Sequence, residues 1–591
     1  MAPLLAVGLV ALLLLWVVVS GRRRRRALLK RFRSEWGRVS TQERDVAAVA
    51  LYHRTMQAGA TGDGLDERTA TDLDLDAVFE ILDRTETNIG QQLLYQRLRS
   101  SFTRDELSAF ESLMTRVSAV ETERQRIQFS LTRLRGHSGD LWWLALPGVL
   151  EPKRWDVVFP LLTPVVPLAL ALATVWPPAV GIVILGLLTN MTLRYVHAPR
   201  LGPLLRPFRQ LGPLLATATA LQPMVTGDLS PLGPTLTDDV SSQQRLRRMV
   251  RWVSHDPMLS DDFTNGLFEA ANLMLLLDVS VLYFAAKEVR AHDPALLRTI
   301  ATVGTVDAAI SIASYRAGTS GWTRPVLESS AQLALRDLRH PLLDAPVPNS
   351  LTLVAPAGVL VTGSNMSGKS TFLRTLGVNA VLAQTLNTCL ASAYEAPVFT
   401  IRSVIGRGDD LASGTSYYKD EVDAVLAVVR LCEDQRPQLF LFDELFRGTS
   451  TTERIAAAEA VLRELLERPE QADCAPPGAR VVIAATHDRE LVRLLDGQYA
   501  PYHFTDTVGS DGLSFDYRLR EGPAVSRNAV ALLEAYGAPA RVVRRAPGRD
   551  RPTSTEPVRN RRYNECFDAG RRVYQCLTGR RPSTCRAPPF Q

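Results

Sequence analysis

Nine consecutive residues, Gly363-Ser-Asn-Met-Ser-Gly-Lys-Ser-Thr371, constrain the fold of this chain more than any other feature. They fit the pattern G-x-x-x-x-G-K-[ST]. The two glycines let the backbone turn tightly and aim its N–H groups inward, the lysine adds a positive charge, and the serine adds a hydroxyl. That donor set suits a polyanionic phosphate chain, with Lys369 on the β- and γ-phosphates and Ser370 on Mg²⁺. Leu351–Val354 and Gly358–Thr362 are strand-like ahead of the run, and Thr371–Leu376 is helix-like after it. The order strand–loop–helix puts the phosphates at a helix N-terminus. The predicted nucleotide-binding residues are therefore Gly363, Ser364, Asn365, Met366, Ser367, Gly368, Lys369, Ser370 and Thr371, with ATP and Mg²⁺ as cofactors.

Such a loop needs a carboxylate for the metal and a group to act on water. Leu439-Phe-Leu-Phe-Asp-Glu444 supplies both at the end of an unalternating apolar run, the signature of a strand buried on both faces of a parallel sheet. Asp443 is the predicted Mg²⁺ partner of Ser370, and Glu444 the group that orients or deprotonates the attacking water. A third strand, Arg480–Thr486, ends at His487-Asp488. In an open α/β sheet the carboxyl ends of strands are where ligands bind, so His487 is a second candidate catalytic residue.

Together these pieces resemble the MutS family of mismatch-repair ATPases, within the ABC-type ATPase superfamily. The likeness lies in Asn365-Met366 inside the loop, in Asp443-Glu444-Leu-Phe-Arg-Gly448-Thr449-Ser450-Thr451, in Ala485-Thr486-His487, and in His340-Pro341-Leu-Leu with Pro348-Asn349. Asp409–Glu421 resembles the segment that in the family reaches across a dimer, which implies a homodimer in which Ser416 touches the partner's γ-phosphate. The match covers about 338–537. Upstream, Asp72–Leu98, with Asp83, Thr85, Thr87 and Gly90, resembles the start of the family's helical core. The resemblance implies an ATPase whose cycle drives conformational change, and DNA as a partner. It does not carry over direct mismatch reading. Mismatch readers wedge a Phe-x-Glu into the duplex, and the only such triplet here is Phe442-Asp-Glu444 in the metal-binding strand; the stretch between Arg26 and residue 72 is also short for that domain.

Apolar segments add a second theme. Leu4–Val19 is nearly all apolar and is followed, not preceded, by Arg22–Arg26. That order is the reverse of a cleaved secretory signal and places residue 22 onward in the cytoplasm. Val157–Val175 and Ala179–Leu188 flank Trp176-Pro-Pro178, with Lys153, Arg154, Arg194 and Arg200 at the base. This reads as a transmembrane hairpin over about 157–193, both ends cytoplasmic. Leu267–Ala286 carries Glu269 and Asp278, each costly at membrane depth, and reads as a buried or interfacial helix. The predicted partner is a lipid bilayer, and the predicted location a cell membrane crossed more than once.

The predicted organisation of the 591 residues is multidomain: a transmembrane anchor at 1–21, a mainly α-helical core at 22–345 with the inserted hairpin, an α/β P-loop (ABC-type) ATPase domain at 346–537, and a basic, disordered tail at 538–591. Thr103–Arg135 reads as one long exposed helix and the proline-rich 201–235 as a loop or broken helix. The net charge of +6 argues little; its concentration at Arg22–Arg26 and beyond Arg541 says more. The tail charge suits DNA or anionic lipid, or solvent alone. Six cysteines, none in C-x-x-C spacing, give no zinc signature. An alternative function is an ABC-type membrane ATPase for transport or membrane-protein remodelling without DNA. Against it stands the lack of a Leu-Ser-Gly-Gly-Gln signature.

Overall fold

The computed structural model describes residues 2–40, 45–57, 64–135, 138–146, 148–151, 153–225, 233–251, 271–272, 275–291, 293–327, 332–364, 366–406, 417–430, 436–466, 479–509 and 512–524. Two units divide the chain, one within 1–62, 79–98 and 102–320, the other within 63–78, 99–101 and 321–591.

The first unit is helical. Its Asp-x-Thr-x-Thr segment is a polar turn between helices Leu75–Leu82 and Asn88–Arg97. Asp83 accepts the Thr85 N–H (2.9 Å) and hydroxyl (2.6 Å). Thr87 caps the second helix by accepting the Gly90 N–H (2.9 Å). Asp307, fully buried in helix Asp293–Gly318, accepts the N–H groups of Glu86 (3.0 Å) and Thr87 (2.9 Å) and the Thr87 hydroxyl (2.7 Å). Buried donors at a helix start must find acceptors, which is why the two threonines and the distant aspartate meet.

Two expectations for this unit are corrected. Thr103–Arg135 is not one exposed helix: Arg104–Ala119 opens on a Thr103/Glu106 capping box and ends at Val120, whose φ of −115° and ψ of 90° break the path before Glu121–Leu131. Leu107, Phe110, Leu113, Met114 and Val117 are buried along it. As far as Val225 the proline-rich stretch is neither a loop nor a broken helix, and 226–232 lie outside the described residues. Pro199, Pro203, Pro207, Pro213 and Pro223 all lie inside helix Val180–Val225. Each costs about 3 kcal/mol in an isolated helix. Here Leu205, Phe208, Leu211, Leu214, Leu215 and Leu221 are buried along the same helix, each worth roughly 1.5–3 kcal/mol. Tertiary packing overrides the local propensity.

The hairpin turns where the Trp-Pro-Pro tip predicts. Val165–Ala173 ends near Trp176, whose N–H donates to Leu172 O (2.8 Å), and the long helix begins at Val180. The second arm runs on past 193 without interruption. Among the described residues three helices are long and apolar enough to cross a membrane: Trp155–Ala173, Pro177–Pro223 and Pro294–Gly318. Only 22% and 11% of the apolar windows of the first two are buried within the protein, against 78% of the third, which is core. Helix Ala2–Glu35 carries the N-terminal apolar run and the exposed Arg22–Arg26 on one rod. Helix Leu277–Ala291 buries Val279, Ala285 and Val289, and its Asp278, wholly buried, accepts from Arg194 (3.1 and 3.2 Å) and Arg209 (2.7 Å) of the long helix. The apolar stretch at 267–286 is thus a buried helix from Leu277 onward; Glu269 lies outside the described residues.

The second unit is α/β. Six strands run in the order β10-β9-β4-β8-β7-β6, with β4 Ala357–Thr362, β6 Thr400–Ile405, β7 Gln438–Asp443, β8 Arg480–Thr486, β9 Tyr499–Gly509 and β10 Gly512–Glu521. All pair in parallel except β9 with β10. The unalternating runs of β4, β7 and β8 are buried on both faces, as parallel strands covered by helices must be. A smaller sheet orders β1 Val326–Leu327, β5 Ala393–Ala396, β2 Gln332–Leu338 and β3 Asn349–Val354. Because β2 pairs with β3, sheet structure begins ahead of the boundary at 346 expected from the sequence, and the helical region stops at Gly318. Helix Glu67–Asp72 belongs to this unit: Asp72 accepts the Ser403 hydroxyl (2.8 Å) and the Ile405 N–H (2.9 Å) at the edge of β6. The tail at 538–591 lies outside the described residues.

Candidate nucleotide site

Register brings the site together. Thr362 of β4 pairs with Thr486 of β8, and Asp443 of β7 with Ala485 of β8, so the three strands end level. The segments that follow, beginning at Gly363, Glu444 and His487, therefore emerge side by side at the carboxyl edge of the sheet, where ligands of open α/β sheets bind.

The glycine loop has the backbone its sequence demands. Gly363 takes φ +152° and Gly368 φ +106°, and a Cβ on Gly363 would lie 2.7 Å from Ser367 Oγ. Gly368 opens helix Lys369–Leu386, which has no acidic residue in its first turn, so its N-terminal dipole is left for an anion. Lys369 is buried, and its Nζ donates to the carbonyls of Gly363 (2.9 Å) and Ser364 (2.8 Å). Burial lowers its pKa; the Glu444 and Asp443 carboxylates oppose that. Buried hydroxyls of Ser364 and Ser367 find no hydrogen-bond partner among the described residues, which suits a loop shaped around an anion. Asn365 lies outside the described residues; Met366, at φ +72°, is exposed.

Ser370 Oγ donates to Asp443 Oδ2 at 2.5 Å, so the two predicted Mg²⁺ ligands are neighbours. No cluster of three His, Cys, Asp or Glu side chains forms a metal cage among the described residues. Burial pushes the Asp443 carboxyl up, with Ser370 opposing.

Glu444, buried in a left-handed conformation (φ +52°), anchors its N–H on Ala485 O (2.9 Å). Arg447 donates to its Oε2, and His487 Nδ1 is 3.4 Å from its Oε1. Burial alone would raise the Glu444 carboxyl, but Arg447, then His487 and Lys369, hold it below the ordinary carboxylate range. It is ionised at neutral pH. His487 is flanked by Arg454, which forms a bidentate pair with Asp488 (3.0 and 2.9 Å).

Lys369, Ser370, Glu444 and Arg447 line one side of a cavity of about 740 Å³, and His340, Leu343, Val347, Phe372, Phe504 and Tyr517 line the other. One polar and one largely apolar wall in that volume suit a phosphate chain joined to a base. His340 Nδ1 accepts the Leu342 N–H (3.2 Å). Asn349 donates to Tyr517 O (3.0 Å) and accepts from Leu519 N–H (2.7 Å), securing the β10 bulge at which Tyr517 takes φ +53° over Gly368.

The structure thus gathers Gly363, Ser364, Met366, Ser367, Gly368, Lys369, Ser370, Thr371, Asp443, Glu444 and His487; Ser416 falls outside the described residues. Sequence reasoning missed Arg447, Phe504 and Tyr517. Arg447 had a signal, its place three residues after Glu444. The two aromatic residues had none, since they come from β9 and β10 far down the chain.

Comparison with known proteins matches residues 359–551 to the family described as MutS domain V. The chain is 33% identical over 256 residues to DNA mismatch repair protein MutS 2 of Halobacterium salinarum, covering 41% of this chain and 28% of that protein. It is 37% identical over 230 residues to DNA mismatch repair protein MutS of Thermus thermophilus, covering 38% and 26%. With MutS of Lactobacillus delbrueckii subsp. bulgaricus the identity is 28% over 319 residues, covering 52% and 36%. The matches span about a quarter to a third of these relatives' lengths.

Proposed function

We propose, for a chain that belongs to the MutS family through its domain V, an Mg²⁺-dependent ATPase that works as a membrane-anchored homodimer in a DNA transaction. The observation that supports the ATPase reading is that three strands end level, with the glycine loop and Glu444, which follow two of them, lining one cavity and His487, which follows the third, beside Glu444. The loop amides and Lys369 bind the phosphates. Ser370 and Asp443 would hold Mg²⁺, which when bound neutralises phosphate charge. Ionised Glu444 orients the attacking water and accepts its proton, and His487 stands beside it. Ser416 completes the partner's site.

DNA enters from the relatives, whose names say mismatch repair. The triplet Phe442-Asp-Glu444 lies at the end of β7 and supplies no mismatch wedge. The membrane reading rests on the hairpin. Leu161, Leu168 and Leu185 are each 66% exposed and Val175 at the tip 85%. An apolar face of that extent is costly in water and at home in lipid. Asp156–Arg200 (2.7 Å) and Asp278–Arg194 (3.1 Å) ion pairs stand at its foot. The Ala2–Glu35 helix supplies the anchor, and the nucleotide domain faces the cytoplasm. The same hairpin favours the second reading, ATP-driven transport or membrane-protein remodelling without DNA.

One experiment separates these readings: ATP hydrolysis by the purified protein in lipid, with and without several DNA forms. A general base contributes about 10²–10⁴ in rate, so Glu444→Gln should retain ATP and lose at least about two orders of magnitude in hydrolysis. Undiminished turnover in that variant refutes the assignment of Glu444. Stimulation by DNA supports the first reading; indifference to DNA at low salt moves the function to the second.

A further inference from the structure

Glu444 sits in a turn that its own sequence does not favour. Both Glu444 (φ +52°) and Phe446 (φ +60°) are left-handed, a conformation that costs a residue with a side chain roughly 1–2 kcal/mol. Such a turn persists only where its surroundings hold it. One end is held by the Glu444 N–H on Ala485 O. The other is held from a different element. Glu421 of helix Tyr417–Arg430, 5% exposed, accepts the Phe446 N–H on Oε1; burial raises its pKa, and the backbone N–H groups of Phe446 and Arg447 oppose that. The same helix touches the turn twice more. A Cβ on Gly448 would lie 3.1 Å from Tyr418 Cβ, and the Tyr418 and Phe446 rings are 6.5 Å apart. A carboxylate is expensive to bury, and here it is spent on the backbone beside the candidate catalytic glutamate.

We infer that Glu421 is a positioning residue for hydrolysis: its carboxylate fixes the Glu444–Arg447 turn, and through it the carboxylate of Glu444 and the guanidinium that restrains it. The inference rests on the ATPase reading above. It also ties the turn to the helix that directly follows Ser416 in sequence, so a displacement of that helix reaches Glu444 through one hydrogen-bonded carboxylate. Among the described residues Glu421 is not one of those that line the cavity, so its loss should act on turnover and not on nucleotide binding.

The test uses the full-length protein in detergent or lipid with three measurements: kcat and KM for ATP, binding of a non-hydrolysable ATP analogue, and amide hydrogen exchange across 444–448. Glu421→Ala should lower kcat by about 10-fold or more while analogue affinity stays within about 3-fold, the pattern of an interaction that serves the transition state. Exchange at the Phe446 amide should speed up. Glu421→Gln retains an acceptor oxygen for that amide and should keep its protection and most of the rate. A kcat for Glu421→Ala within about 2-fold of wild type overturns the inference. An equal loss of affinity and turnover, the mark of general disruption, does so too. If the alanine variant does not fold, the glutamine variant decides: unprotected Phe446, or a loss as deep as that of Glu444→Gln, refutes the assignment. A wild-type protein that binds but never hydrolyses ATP instead removes the ATPase reading on which it stands, while the exchange measurement still reports whether Glu421 holds the turn.

Discussion

Replacing His340 by asparagine removes a titration that the fold makes costly. His340 is buried at the cavity wall, where burial and then the Arg374 guanidinium push its pKa down to about 4, the Asp74 carboxylate opposing. In the unfolded chain an imidazole titrates near 6.5. A folded value below the unfolded one means that the unfolded chain takes up the proton first. The stability tied to this group is therefore complete above about pH 6.5 and is lost as pH falls toward 4. By about pH 5, some 1.5 units of that interval have been crossed, and at 1.36 kcal/mol per unit the loss is about 2 kcal/mol. In a unit of this size 1 kcal/mol moves the melting temperature by about 2–4 °C, so the expected shift is about 4–8 °C. Asparagine offers Oδ1 to the Leu342 N–H but takes up no proton. The assay is thermal melting of wild type and His340→Asn in detergent at about pH 7.5 and about pH 5, both without nucleotide. The melting temperature of the wild type should fall by about 4–8 °C more than that of the variant. Equal falls would refute the reasoning, because carboxylates common to both proteins would then account for all of the acid sensitivity.

Two further outcomes follow from ion pairs. Removing the guanidinium in Arg447→Ala takes away the largest influence that opposes burial at the Glu444 carboxyl, whose pKa rises; the acid limb of the ATP hydrolysis profile should move to higher pH, and an unmoved limb argues against Glu444 as the group it reports. Asp278→Ala removes the buried carboxylate that Arg194 and Arg209 share and should cost the helical unit roughly 3–5 kcal/mol; an unfolding free energy within about 1 kcal/mol of wild type would refute the pairing.

Much of the nucleotide domain was legible because parallel strands and phosphate loops leave local marks. The apolar runs at Gly358–Thr362, Leu439–Phe442 and Val481–Ala485 are strands, and the residues after each meet at one edge. The Trp-Pro-Pro tip was legible for the same reason, since proline cannot donate to the helix behind it. What was not legible depends on partners far along the chain. The prolines of Val180–Val225 signal a loop until the buried leucines of that helix are counted, and Thr103–Arg135 signals an exposed helix until its inner face is seen covered.

The same division holds at the site. Local sequence by itself determined the glycine loop, its lysine and serine, the paired acids and the histidine, because tight backbone turns and strand ends demand particular residue types within a few positions. Only the tertiary structure decided that Arg447 and His487 hold Glu444 ionised, that Asn349 secures the bulge bearing Tyr517, and that Glu421 braces the turn from another helix. The physical reason is that a pKa, a braced turn or a cavity wall is set by charge, burial and hydrogen bonds between groups that meet only after the chain has folded.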